Sequence, residues 1–301
     1  MSECSGGSPR RDWRFFLAIG ALILVFSHGL VRWAMFAASS DLYSHVLLIP
    51  VISAYLIWIE KGQLADFGDP DKVVAISCSA AAAVLLTGYG IAFSSGVHFQ
   101  TADSLALVIP SFVLLLWAVC AWFLGPLFIR SIGFQLVFLI LMSPMPVFFR
   151  SMIESQLQHY SALCALGFFE IAGTPVYYTD LKFQLSDISL QVAPECSGIH
   201  SSVALFVVSL VAGKLFLRSN WKRGILALAV LPLAILRNGF RVFTIGELCV
   251  HIGPEMIDSK IHHKGGPIFF ALSLVPFLFL LFLLVRSERK AAVKQPLIKV
   301  A

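Results

Sequence analysis

Ser197 to Arg223 reads SGIHSSVALFVVSLVAGKLFLRSNWKR, an uncharged run as far as Gly213 followed by four basic residues, Lys214, Arg218, Lys222 and Arg223. An α-helix rises about 1.5 Å per residue, so roughly twenty apolar residues match the ~30 Å hydrocarbon layer of a bilayer. The run is continuous instead of alternating with period two, which argues against a strand of a membrane barrel. Basic residues gather at the cytoplasmic ends of spans, so this cluster places Arg223 inside and Ser197 outside.

The rest of the chain repeats the pattern. Of its 301 residues 58% are hydrophobic and 13% are charged, which takes it out of the range of soluble domains. Stretches of span length occur at about 15–36, 43–59, 73–93, 104–124, 127–146, 197–217, 224–245 and 266–285. The expected fold is therefore an all-α polytopic membrane protein with about eight transmembrane helices. It forms one integral membrane domain over 1–301, with a core at 15–286 and short cytoplasmic tails. In that topology fifteen Lys and Arg fall on the inner side. Seven fall outside: Arg32, Arg150, Lys182, Arg237, Arg241, Lys260 and Lys264. The net charge of +5 is thus a topology signal, and no nucleic-acid partner is expected. Arg10 and Arg11 before the first apolar run resemble a secretion leader. That run lacks a clear small-residue cleavage site and reads as a retained span.

One connection, Val147 to Glu195, is too long for a hairpin loop. Its first half sets Met152, Ile153, Leu157, Leu163, Leu166 and Phe169 at roughly helical spacing, which predicts an amphipathic helix at the outer interface. Its second half alternates apolar and polar residues and predicts a short β-hairpin, a lid between spans five and six. The alternative is an external loop that packs on the bundle with no chemical role.

Ionisable residues near membrane depth are costly and mark function. Three polar clusters reach the outer leaflet on the last three spans: Glu195-Cys196-Ser197-Gly198-Ile199-His200, Arg237-Asn238-Gly239-Phe240-Arg241, and His262-His263-Lys264-Gly265-Gly266. A thiol at the first turn of a helix feels the positive end of the macrodipole, and a nearby cation favours its thiolate further. A histidine serves as general acid and then base, and an arginine supplies forked donors to an oxyanion. Cys196, an arginine and a histidine thus make an acyl-transfer set, whereas snorkelling interface anchors are the plain reading of Arg237 and Arg241. The six cysteines show no C-x-x-C pair, and Cys78, Cys120, Cys164 and Cys249 read as apolar filler. A thiol redox protein would need a partner for Cys196, for which Cys249 is the candidate. No H-E-x-x-H occurs, and neither a metal nor another cofactor is expected.

Together these clusters resemble the exosortase/archaeosortase family. PECSGI (Pro194 to Ile199), Asn238-x-x-Arg241 and a histidine ahead of Gly265-Gly266 and an aromatic-rich last span carry the likeness. Upstream, YSHVLLIPVISAYL (Tyr43 to Leu56) is similar to the family's S-H-G-x-L-x-P stretch, and MSPMP (Met142 to Pro146) to its proline pair. The likeness covers about residues 40–285. Val46 stands where the family places glycine, and His200 where it often has arginine. The resemblance implies a membrane-embedded cysteine transpeptidase of the cell inner membrane, with its termini cytoplasmic and its site on the extracytoplasmic side. Its partners would be exported proteins ending in a PEP-CTERM-like signal, a membrane helix and a basic end, with an envelope glycan or lipid as acceptor. It also implies Cys196 as nucleophile, Arg241 as the catalytic arginine and His262 as acid/base, His262 being preferred over His263 for its spacing to Gly266 and Phe269-Phe270. Glu195, His200, Asn238, Arg237 and His263 stand as supporting residues. The competing class is a non-enzymatic transporter or scaffold for exopolysaccharide export, in which the polar residues would line a path.

Overall fold

The apolar runs fold as helices, several of them broken at single apolar residues such as Phe26, Ile132 and Ala229. The computed structural model describes residues 9–40, 42–185, 188–192, 197–258 and 265–294. They divide into two compact units, Met1–Arg150 and Ser151–Ala301.

In the first unit, α1 (Pro9–Val25) and α2 (Ser27–Ser39) replace the single span expected at 15–36, with a bend of 65° between them. A 3-10 turn (Ser44–Leu47) leads into α3 (Leu48–Ile59). Asp71 then caps α4 (Lys72–Ser94) by accepting from the backbone N–H of Val74 at 3.1 Å, which meets one of the orphan donors of the first turn. The spans expected at 104–124 and 127–146 meet inside α5 (Thr101–Ser131) at Gly125, where φ is 82° and ψ 170°. A Cβ there would lie 2.8 Å from the carbonyl oxygen of Asp69, so the break needs glycine both for its dihedrals and for its space. α6 (Gly133–Phe138) and a 3-10 turn (Leu139–Met142) follow.

The two upstream motifs meet in this unit. Tyr43 Oη donates to the carbonyl of Met145 at 3.2 Å, and Trp33 Nε1 to that of Met142 at 2.8 Å. Asp103 accepts from the N–H of Val147 at 2.8 Å, at the start of α7 (Val147–Ala172). Near the other end of α3, Ser53 donates to the carbonyl of Gln135, whose fully buried amide donates to Glu60 at 2.6 Å.

In the second unit, α7 is the helix expected in the long connection. Of the face expected, Leu157 and Phe169 are buried, Ile153 and Leu166 half-buried, and Met152 and Leu163 exposed, while Gln158, Ser161, Ala162 and Ala165 are also covered. Small residues let helix backbones approach, and large apolar ones are free to face lipid. The expected hairpin is a three-stranded antiparallel sheet, β1 (Tyr177–Thr179), β2 (Lys182–Gln184) and β3 (Ser189–Gln191). Its register pairs Tyr178 with Phe183 and Phe183 with Leu190. The first turn uses Asp180 and Leu181 at φ 48° and 64°, the two positive values a tight primed turn requires. Phe183, Leu185, Leu190 and Val192 pack with Phe169 and with Val242, Ile245 and Cys249 into one core.

α8 (Ile199–Phe216), α9 (Asn220–Leu228), α10 (Val230–His251) and α11 (Gly266–Lys294) complete the unit. The basic cluster between α8 and α9 is built into the backbone. Arg223 donates twice to the carbonyl of Leu217 at the end of α8, and Glu288 accepts from the N–H groups of Arg218 and Ser219. Among the described residues five helices are long and apolar enough to cross a membrane, and up to seven if each bent pair counts as one span. The stretch expected at 43–59 folds as a shorter apolar helix, Ser44–Ile59. The chain is thus an all-α polytopic membrane protein by its helices.

Candidate functional site

Gly198 starts α8 in the left-handed conformation, with φ 71° and ψ 15°. Its carbonyl accepts from the N–H of Ser202 at 3.0 Å, from Ser202 Oγ at 2.7 Å and from Ser201 Oγ at 3.1 Å. A fourth donor comes from α10: Arg237 Nη2 lies 3.0 Å from the Gly198 carbonyl and 3.2 Å from Ser202 Oγ. Arg237 is 7% exposed and Asn238 2%. A side chain at position 198 would meet Arg237 Nη2 at 2.9 Å and Asn238 Oδ1 at 3.2 Å. The first turn of α8 and the Arg237-Asn238 pair are therefore fitted to one another. Ser197, 2% exposed, accepts from the N–H of Ile199 at 3.4 Å.

One turn further along α10, Arg241 is half-buried. With Asn238, Val242 and Ile245 it lines a crevice against Leu190, Gln191 and Val192 at the end of β3. The crevice holds about 20 Å³, room for one water. Gln158 of α7 donates to the carbonyl of Val192 at 3.0 Å, which fixes the strand end beside it.

Of the residues singled out in sequence, the fold brings Arg237, Asn238 and Arg241 to one stretch of α10, and the first two of them to the start of α8. His200 is on the first turn of α8 with its side chain exposed. Glu195, Cys196, His262 and His263 lie outside the described residues. Gly198 was read only as a member of the first polar cluster, without its left-handed turn or its contact with Arg237, and Ser202 was not singled out. A glycine directly before a long apolar run, followed by hydroxyls three and four residues later, was the signal that could have found them.

The arrangement sets the Arg237 guanidinium against the N-terminal end of an 18-residue helix, with the Arg241 guanidinium one turn further along α10, and each of these favours an anion. The comparisons with known proteins give the match that names a family: the model described as Transmembrane exosortase (Exosortase_EpsH) matches residues 33–279. The comparisons with curated proteins and with solved structures gave no match.

Proposed function

The chain belongs to the transmembrane exosortase family, and on that premise we propose that it is a membrane cysteine transpeptidase acting on the C-terminal sorting tails of exported proteins. The observation that carries the reading is the clamp between Arg237-Asn238 and Gly198. It joins the Asn238-x-x-Arg241 motif to the turn that directly follows Cys196 in the chain.

In this reading the Cys196 thiolate adds to the carbonyl carbon of the scissile peptide, and Arg241 donates to the resulting oxyanion. The C–N bond then breaks. His262, as imidazolium, gives its proton to the departing amine of the tail and leaves a thioester on Cys196. An acceptor amine or hydroxyl on an envelope glycan or lipid attacks the thioester and loses its proton to His262, and the thiolate leaves. Docking the substrate's own membrane helix beside the bundle turns recognition into positioning of the reacting carbonyl. The chain works as one inner-membrane domain of eight spans, with both termini cytoplasmic and the β1–β3 sheet as the lid over the outer face.

The test is co-expression with a protein carrying a sorting signal, a span and a basic end. Cys196→Ala is expected to leave the tail uncleaved, while wild type removes it. Continued cleavage by Cys196→Ala, with the protein at wild-type level in the membrane, would remove the acyl-transfer mechanism.

A further inference from the structure

Three features of Arg237 oppose its burial at this point. A guanidinium inside an apolar helix is costly, and among the described residues no carboxylate pairs with it. It lies beside the N-terminus of α8, the end at which the macrodipole favours negative charge. Arg241, four residues on along the same helix, adds a like charge on the same face. Helix stability explains none of the three. An anion at the start of α8 would relieve them all.

Arg237 also keeps a donor in hand. Its Nη2 is engaged by Gly198 and Ser202, while its buried Nη1 has no hydrogen-bond partner among the described residues. Gly198 is two residues after Cys196, so at most about 7 Å of backbone separates their Cα atoms. From these observations we infer that Arg237 is a positioning residue of the acyl-transfer site: it clamps the Gly198 turn and holds the entrance to α8 electropositive for an anion at Cys196. The inference rests on Cys196 being the reacting group, and it adds to Arg241 a second cation with a different task.

The experiment uses the full-length protein in membranes, with the other five cysteines replaced by serine so that only Cys196 reacts. Alkylation rates are compared for two reagents of similar size, anionic iodoacetate and neutral iodoacetamide. Wild type is expected to favour iodoacetate relative to a free thiol. Arg237→Gln is expected to lower the iodoacetate-to-iodoacetamide ratio about tenfold. Arg237→Lys, whose ammonium reaches two acceptors from one nitrogen as Nη2 does, is expected to keep the ratio within about threefold. A purely structural role would slow both reagents together at a constant ratio, and that result in Arg237→Gln overturns the inference. If Arg237→Gln does not reach the membrane, Gly198→Ala, whose methyl group displaces Nη2, takes its place. It is expected to lower the ratio in the same direction, and an unchanged ratio is equally fatal. The readout needs no sorting substrate, so a correct ratio with uncleaved tails separates failure of the transpeptidase reading from failure of this one.

Discussion

Gly96 and Gly125 both have φ near +80°, but only one of them is crowded. Nothing lies within 4 Å of a Cβ added at Gly96, so Gly96→Ala should cost only the left-handed penalty, about 1 kcal/mol. At Gly125 the added atom meets the backbone of Gly68 and Asp69 at 2.8–3.0 Å, and backbone held by the Gly68 N–H to Leu124 carbonyl bond has nowhere to go. Gly125 also has ψ 170°, a region essentially reserved for glycine. Gly125→Ala should therefore cost about 3 kcal/mol or more, and in detergent its apparent Tm should fall well below that of Gly96→Ala. Equal Tm values would mean that the break in α5 relaxes. Arg237 and Arg241 were legible from sequence because two ionisable residues in an apolar run stand out. The clamp on Gly198 was not, because its bonds join residues 35 and 39 positions apart and leave no local pattern.

At the scale of elements, α7 buries Leu157 and Phe169 of the apolar face read in sequence but leaves Met152 and Leu163 exposed, and the difference has a physical cause. In water the large apolar side chains of an amphipathic helix face its neighbours, and that rule picks out Met152 and Leu163. In a membrane bundle it is the small residues that permit close approach, and α7 turns Ser161, Ala162 and Ala165 inward. The matching surface on α10 is Gly239 and Gly246, seven residues apart and so on one face. A Cβ on Gly239 would meet Cys164 at 2.7 Å, and one on Gly246 would meet the ring of Phe169 at 2.5 Å. Phe169 is fully buried against Phe183 and Phe243 and cannot swing away freely. Gly246→Ala should destabilise by about 2 kcal/mol, even though alanine is the better helix former. Phe169→Leu, which clears the space, should destabilise less in the Gly246→Ala background than alone. A double-mutant cycle on thermal unfolding measures this coupling, and additive losses would show that the two helices are not fitted at that point.

For the whole molecule, the sequence pattern settles that the chain is helical and membrane-spanning more firmly than it settles the number of crossings. Hydropathy counts apolar residues without seeing bends, so the run at 15–36 passes as one span although it turns by 65°. The stretch Ser44–Ile59 is the deciding case. Its sixteen residues reach about 24 Å as a helix, short of a ~30 Å hydrocarbon layer. It nevertheless ends at Glu60 and Lys61, where the Gln135 amide holds the carboxylate and Lys61 lies over the Trp58 ring, an aromatic and charged pair of the kind that marks an interface. An eight-span chain with cytoplasmic termini needs this segment to cross, with Leu42 outside and Gly62 inside. Single cysteines at these two positions, in a background stripped of native cysteines, should then react with a membrane-impermeant maleimide only at position 42 in intact cells, and at both after permeabilisation. Labelling of both, or of neither, in intact cells would put the two ends of α3 on one side. The inner and outer charge counts that orient the later spans would then have to be drawn again.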